Sequence, residues 1–255
     1  MQSTNGNNGI TLQGKTVLIT GANRGIGKSI LEAALAEGAK KVYAAVRKPE
    51  SVKELVEKYG AGRVVALAVD LSKPETISAA AKVAQDVEVV VNNGGVLTTT
   101  GPTDADVAEN LAFEFQVNVY GLLHMAREFG PVLAKNGGGA FAQLNSVVSM
   151  KSFANVATYS ASKAAAYSLT QALRETWKAQ GTLVVSVHPG PIETDMAVQA
   201  GFGGMGEGPE SVSKALVAAL KAGEFHVFPD AMARQIGGAY EGFAKGVVEA
   251  SMGEG

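Results

Sequence analysis

Tyr159 and Lys163 stand four residues apart in the run TYSASKAAAY, residues 158–167. The residues between them are small and the run that follows has helical composition, so both side chains fall on one face, one turn apart. A free phenol loses its proton near pH ~10 and a free lysine ammonium near ~10.4. Side by side, the ammonium favours the phenolate and lowers the tyrosine pKa. A tyrosine tuned in this way passes a proton to or from a substrate oxygen. Alone, such a pair is equally consistent with an ordinary contact on a helix surface, so other motifs must support it.

A second stretch suggests a different chemistry. TGANRGIG (20–27) follows a β-branched run and opens an Ala/Leu-rich one. Gly21, Gly25 and Gly27 permit a tight turn and close backbone approach. The helix that follows would offer free N–H groups and a positive dipole end to a pyrophosphate. The position between a first strand and a first helix is the context that this mechanism requires.

Both stretches need a scaffold. Short apolar, β-branched runs recur at 15–20, 41–46, 63–69, 87–91, 140–145, 183–187 and 224–228. They are nearly continuous in apolar residues, as strands buried on both faces are. Between them lie segments of helical spacing at 25–37, 75–84, 105–135, 159–180 and 209–222. The alternation predicts an α/β fold, a Rossmann-like doubly wound and mostly parallel sheet of seven strands with helices on both faces.

A hydrophobic content of 46% over 255 residues suits one such domain with a sizeable core. The polar start MQSTNGNNG reads as a flexible tail over residues 1–9 and not as a signal peptide. Residues 10–255 then form the single domain. The 22 basic and 24 acidic residues form no long run of either sign, which argues against a nucleic-acid partner or a membrane surface. There is no cysteine, and the three histidines, at 124, 188 and 226, are scattered, so no metal site is expected. No apolar run reaches the length of a membrane span, and a cytoplasmic location is expected.

With both motifs and these elements in this order, the chain resembles the short-chain dehydrogenase/reductase family of the single-domain, carbonyl-reductase-like type. TGANRGIG resembles its cofactor turn, and Asp70-Leu71 its adenine contact. NNGG (92–95) resembles its Asn-Asn-Ala-Gly motif, with Gly94 in place of the more usual Ala, which should loosen the backbone there. Asn118 resembles the helix asparagine that bends the backbone and holds a water. Ser146 stands where the catalytic serine is expected, thirteen residues before Tyr159. HPGPIETDM (188–196) resembles the segment that clasps the nicotinamide. The stretch from Asp70 to Val89 is short, so a clipped third helix is expected.

The resemblance implies hydride transfer between a nicotinamide and a carbonyl or alcohol carbon. It makes Tyr159 the general acid/base, Lys163 its tuning cation and ribose ligand, Ser146 the hydrogen-bond partner of the substrate oxygen, and Asn118 the link to Lys163 through a water chain. It places the cofactor on Gly21, Asn23, Arg24, Gly25, Ile26, Gly27, Arg47, Asp70, Leu71, Asn93, Gly94, Gly95, Tyr159, Lys163, Pro189, Gly190, Ile192 and Thr194. Ser149 has the wrong spacing for the serine role, and His188, Tyr167 and Trp177 read as structural.

The choice of cofactor is legible at the second strand. An acid at its end selects NAD(H), whereas a nearby Arg accommodates a 2′-phosphate. Val46 stands nineteen residues after Gly27, where the acid would be, and Arg47 follows it. Arg24 and Arg47 would reach the phosphate from two sides, so NADP(H) is expected over NAD(H). Met150, Phe153, Met196, Phe202 and Met205 suggest an apolar, adaptable pocket for a ketone or aldehyde. The segments 106–135 and 158–180 carry apolar residues on more than one face, and the family pairs them across a twofold axis; a homodimer or homotetramer is expected. The rival reading is a non-catalytic dinucleotide-binding sensor or regulatory subunit of the same fold. Such proteins typically lack the Tyr or the Lys, both of which stand here.

Overall fold

The computed structural model describes residues 9–201 and 203–250. The tail expected over residues 1–9 thus lies, except for Gly9, outside the described residues, as does Phe202.

Seven strands form one parallel sheet: β1 (Thr16–Thr20), β2 (Lys41–Val46), β3 (Val64–Ala68), β4 (Val89–Asn92), β5 (Ala140–Leu144), β6 (Leu183–Val187) and β7 (His226–Val227). Their order is β3-β2-β1-β4-β5-β6-β7, and every pairing is parallel. This is the expected doubly wound architecture. Successive residues of a strand feed opposite faces. Val17 and Ile19 enter one core and Leu18 the other; Val89 and Val91 enter the first and Val90 the second. The continuous apolar character of these strands follows from that two-sided burial, worth about 1.5–3 kcal/mol for each fully buried Val, Leu or Ile side chain.

The first core is roofed by α1 (Gly25–Ala36), α2 (Lys53–Tyr59) and α8 (Pro209–Ala222), through residues such as Leu31, Leu55 and Leu216. The second lies under α3 (Pro74–Val83), α5 (Gly121–Lys135) and α6 (Ala157–Thr176), through Ile77, Phe129 and Tyr167. The helix after β3, α3, spans ten residues.

The segment expected as one helix over 105–135 is divided. α4 (Val107–Glu114) runs into a π-helical turn, Phe115–Tyr120, before α5 begins. Three further helices were not foreseen: α2, α7 (Asp195–Gln199) and α9 (Ala231–Phe243). α9 carries Gly237, Gly238 and Gly242, which lower helix propensity. It is started by Asp230, whose side chain accepts the Ala233 amide at 2.9 Å. No helix among the described residues is long and apolar enough to cross a membrane.

The order reverses between β1 and β4, leaving a crevice outside their carboxyl ends. The motifs converge on that crevice.

Candidate active site

The cleft at the crevice has a volume of about 1080 Å³. Ligand pockets usually measure about 300–1,000 Å³, so a large, extended ligand is suited. Each of the expected cofactor residues lines it, as do Ser146, Tyr159 and Lys163. Asn118 does not line the cleft; it is buried beside it.

The glycine turn is shaped by exclusion. Gly21 and Gly25 have φ of 67° and 50°, in the left-handed region that side chains disfavour. A Cβ on Gly27 would overlap the Gly21 carbonyl oxygen, so the first helical turn sits directly against the loop. Asn93 donates to the Thr20 carbonyl at 2.9 Å, and the Gly94 amide donates to the Thr20 hydroxyl at 2.8 Å. These bonds brace the end of β1 against the end of β4. A Cβ at Gly94 would stand 3.0 Å from the Leu71 side chain, so the glycine lets Leu71 pack close to this backbone. A cradle of this kind, with backbone amides and a helix N-terminus facing an open cleft, fits the pyrophosphate of a dinucleotide.

At the far end, Val46 closes β2 and is buried, while Arg47 is exposed at the cleft mouth. Asp70 accepts the Ser72 amide at 3.0 Å and its hydroxyl at 2.7 Å. Burial would raise the Asp70 carboxyl, but the two Ser72 bonds and the charges of Lys73 and Arg47 hold it below its usual range. Arg24 reaches across the mouth to Asp195, 3.0 Å away on α7. Sequence reasoning did not single out Asp195.

Tyr159 lies in the first turn of α6 and Lys163 one turn on. The pairing differs from expectation. Lys163 donates to the Leu144 carbonyl at 2.7 Å, and its Nζ stands 5.7 Å from the Tyr159 ring centre. Burial raises the phenol above its ordinary value, the Glu114 carboxylate adds to this, and the Ser146 hydroxyl pulls the other way. Burial draws the Lys163 ammonium down to about 8, against an upward pull from Glu114. The expected lowering of the Tyr159 pKa by Lys163 is therefore not found, because desolvation of the phenol dominates.

Ser146 caps a short 3-10 turn, and its hydroxyl donates to the Pro189 carbonyl at 3.2 Å. Ser149 is turned away and donates to the Ser146 carbonyl. Asn118 sits inside the π-turn. Its Oδ1 accepts the Val96 amide at 2.9 Å, while its Nδ2 donates to the Val96 carbonyl at 2.9 Å and to Ser162 at 3.0 Å. Ser162 in turn donates to the Tyr159 carbonyl at 2.8 Å. The Asn118 side chain thus ties Val96 to the turn that carries Tyr159.

Pro189, Gly190, Ile192 and Thr194 form the wall after β6. The Gly190 amide donates to Asp230 at 2.6 Å, so the same buried aspartate that caps α9 also fixes this wall. Its signal was a helix-capping residue ahead of AMARQ. His188 is buried, hydrogen-bonded to Ser186 and Ser149, and pulled down to about 3, chiefly by burial. It is neutral and structural, as expected. Tyr167 bonds His226 at 2.6 Å, and Trp177 packs edge-on against Phe141, so both are packing residues. Phe153, Met196 and Met205 line the cleft, joined by Phe113 and Met232, which were not foreseen. Met150 packs against the second core instead.

Comparison with known proteins agrees with this geometry. The family model described as short chain dehydrogenase matches residues 15–201. Galactitol 2-dehydrogenase (L-tagatose-forming) of Cereibacter sphaeroides is 31% identical over 195 residues, covering 74% of this chain and 75% of the relative. The NADP-dependent 3-hydroxy acid dehydrogenase of Schizosaccharomyces pombe is 32% identical over 196 residues, covering 73% and 75%. A short chain dehydrogenase from Burkholderia cenocepacia, solved with NADP, superposes with a TM-score of 0.84 at 33% identity, over 93% of this chain and 97% of that one. A Burkholderia phymatum relative solved with NAD has a TM-score of 0.81 at 21% identity, over 93% of this chain and 96% of that one, a likeness of fold alone.

Proposed function

Because the chain belongs to the short-chain dehydrogenase family, we propose that it is an NADP(H)-dependent oxidoreductase that reduces an apolar ketone or aldehyde. The observation that carries this reading is the convergence of Tyr159, Lys163 and Ser146 with the glycine cradle on one cleft. When bound, the reduced cofactor supplies the hydride. The chain's own residues do the rest. The turn of Gly21, Gly25 and Gly27 holds the pyrophosphate; Asp70 and Leu71 flank the adenine; and the wall from Pro189 to Thr194 positions the ring. Ser146 bonds the substrate oxygen and stabilises the charge that develops there. Tyr159 gives that oxygen its proton. Lys163, charged at neutral pH, stabilises the phenolate left behind and holds the ribose. Asn118 keeps the turn of α6 in register.

The cleft wall of Phe153, Met196, Met205 and Met232 favours an apolar substrate, and methionine adapts to irregular shapes. A panel of ketones, aldehydes and alcohols with both cofactors, followed at the absorbance of the reduced nicotinamide, tests the reading. Turnover of an apolar carbonyl compound with NADPH is expected. Cofactor binding without turnover of any of them would favour the sensor reading.

We extend the proposal to assembly in the cytoplasm as a homodimer or homotetramer. Phe113, Tyr120 and Leu123 are 48%, 49% and 38% exposed along α4, the π-turn and α5. Exposed apolar side chains along these elements fit a partner copy better than solvent. Light scattering at micromolar concentration is expected to give a dimer or a tetramer; a monomer alone would contradict this.

A further inference from the structure

Glu114, the last residue of α4, is fully buried. Its Oε1 accepts two hydrogen bonds from Thr98, from the amide at 2.7 Å and from the hydroxyl at 2.9 Å. The Thr98 hydroxyl lies 3.4 Å from that of Thr158, the neighbour of Tyr159. The other oxygen, Oε2, is buried and has no hydrogen-bond partner among the described residues. A buried carboxylate that is half unpaired is costly unless an opposite charge answers it. The buried cation that feels it is Lys163.

We propose that Glu114 is a positioning residue for the Tyr159–Lys163 pair, its buried carboxylate holding Lys163 charged and Tyr159 protonated until a positive charge enters the cleft. This rests on the reading of those two residues as the catalytic pair. Charge counting gives the reason. With Lys163 positive, Glu114 negative and the phenol protonated, the three sum to zero. Ionising Tyr159 would leave a net negative charge in a poorly solvated site, which is unfavourable. A cationic group arriving in the cleft restores balance and makes the phenolate accessible. In reduction, the carbonyl carbon gains a hydride from the reduced nicotinamide, which is thereby oxidised. The C=O π-electron pair moves onto oxygen, the Tyr159 O–H bond breaks, and its proton goes to that oxygen. Glu114 keeps that proton in place beforehand.

The surroundings agree. Burial followed by Glu114 raises Tyr159, and Glu114 opposes the burial that lowers Lys163. Among the described residues, His188, which follows β6, also interacts with Lys163 and is kept neutral by its burial. The Leu144 carbonyl on Lys163 and the Ser146 hydroxyl on Tyr159 are uncharged contacts.

The test is Glu114→Gln, which keeps an acceptor for Thr98 and removes the charge. In the cofactor-free protein, NMR of isotope-labelled lysine and tyrosine side chains reads both titrations without any turnover. Lys163 is expected to titrate lower than in the wild type by about one unit, a tenfold change in its ratio of charged to neutral form, and Tyr159 to begin ionising at lower pH. Thr98→Val, which removes one hydroxyl bond and leaves the charge, is expected to move neither curve. In turnover, E114Q should shift the alkaline limb of kcat to lower pH with little change in KM. Lysine and tyrosine curves of E114Q that superimpose on the wild type would overturn the proposal. A shift of the Lys163 curve by about one unit in Thr98→Val, which keeps the charge, would equally overturn it. A chain that lacked turnover altogether would still show the two titrations, which separates failure of this inference from failure of the enzymatic reading.

Discussion

Tyr159→Phe is expected to lower carbonyl reduction by about 10²- to 10⁴-fold, the usual contribution of a positioned general acid, and to leave cofactor binding nearly unchanged. The substitution removes one oxygen from a partly buried ring and nothing from the glycine cradle. Lys163→Ala is expected to impair both turnover and cofactor binding, because the ammonium is assigned to both. The pH profile should separate the two residues. Tyr159 is raised by its burial and stays protonated through neutral and mildly alkaline pH. Lys163, lowered to about 8, loses its charge as pH rises through that value. Reduction should therefore fall above pH about 8 through loss of the lysine charge, before the phenol ionises. Steady-state rates and cofactor titrations of the two variants check this. A Tyr159→Phe enzyme that retained more than half of its activity would remove Tyr159 from the acid role.

The second large effect concerns cofactor choice. Val46, at the end of β2, offers the ribose no acceptor, and Arg47 stands exposed beside it at the cleft mouth. Arg24 is paired with Asp195, but both side chains are more than half exposed. Such pairs are worth only about 0–1 kcal/mol, whereas a charge-assisted bond to a phosphate is worth about 1.5–3 kcal/mol. Arg24 should therefore exchange Asp195 for a 2′-phosphate. The wild-type preference for NADP(H), read as kcat/KM at fixed substrate, is expected to exceed about tenfold, since 1.4 kcal/mol is a factor of ten. Val46→Asp with Arg47→Ile should move it toward NAD(H), through a new diol acceptor and through repulsion of the phosphate. Equal values for the two cofactors in the wild type would mean that Arg24 and Arg47 do not face the ribose.

The fold was legible because its signals are local. Each of the seven strands announced itself as a short apolar run, and Gly21, Gly25 and Gly27 marked the turn by a conformational need that their neighbours could not meet. The residues that act through long-range packing were harder to see. Glu114 reads in sequence as one more acid on an amphipathic helix; only the meeting of α4 with the Thr98 loop and α6 buries it. Asp195 and Asp230 acquire their partners from residues 171 and 40 positions away, which no local pattern encodes. The direction of the Tyr159 shift was misjudged for a related reason. Spacing set the phenol and ammonium one turn apart, but it could not say that Lys163 would turn to the Leu144 carbonyl or how dry the phenol would be. α9 was missed because its glycines weaken the helical signal that Asp230 restores.

The proposed reaction is transfer of a hydride in this cleft to a carbonyl carbon under proton donation from Tyr159. The most direct measurement follows deuterium from NADPH labelled at the transferring position into the alcohol formed from an apolar ketone, by mass spectrometry, with Tyr159→Phe alongside. One deuterium on the carbinol carbon is expected with the wild type, and a large loss of labelled product with the variant. No labelled alcohol from any carbonyl compound of the panel with the wild type, or an undiminished yield from Tyr159→Phe, would contradict it.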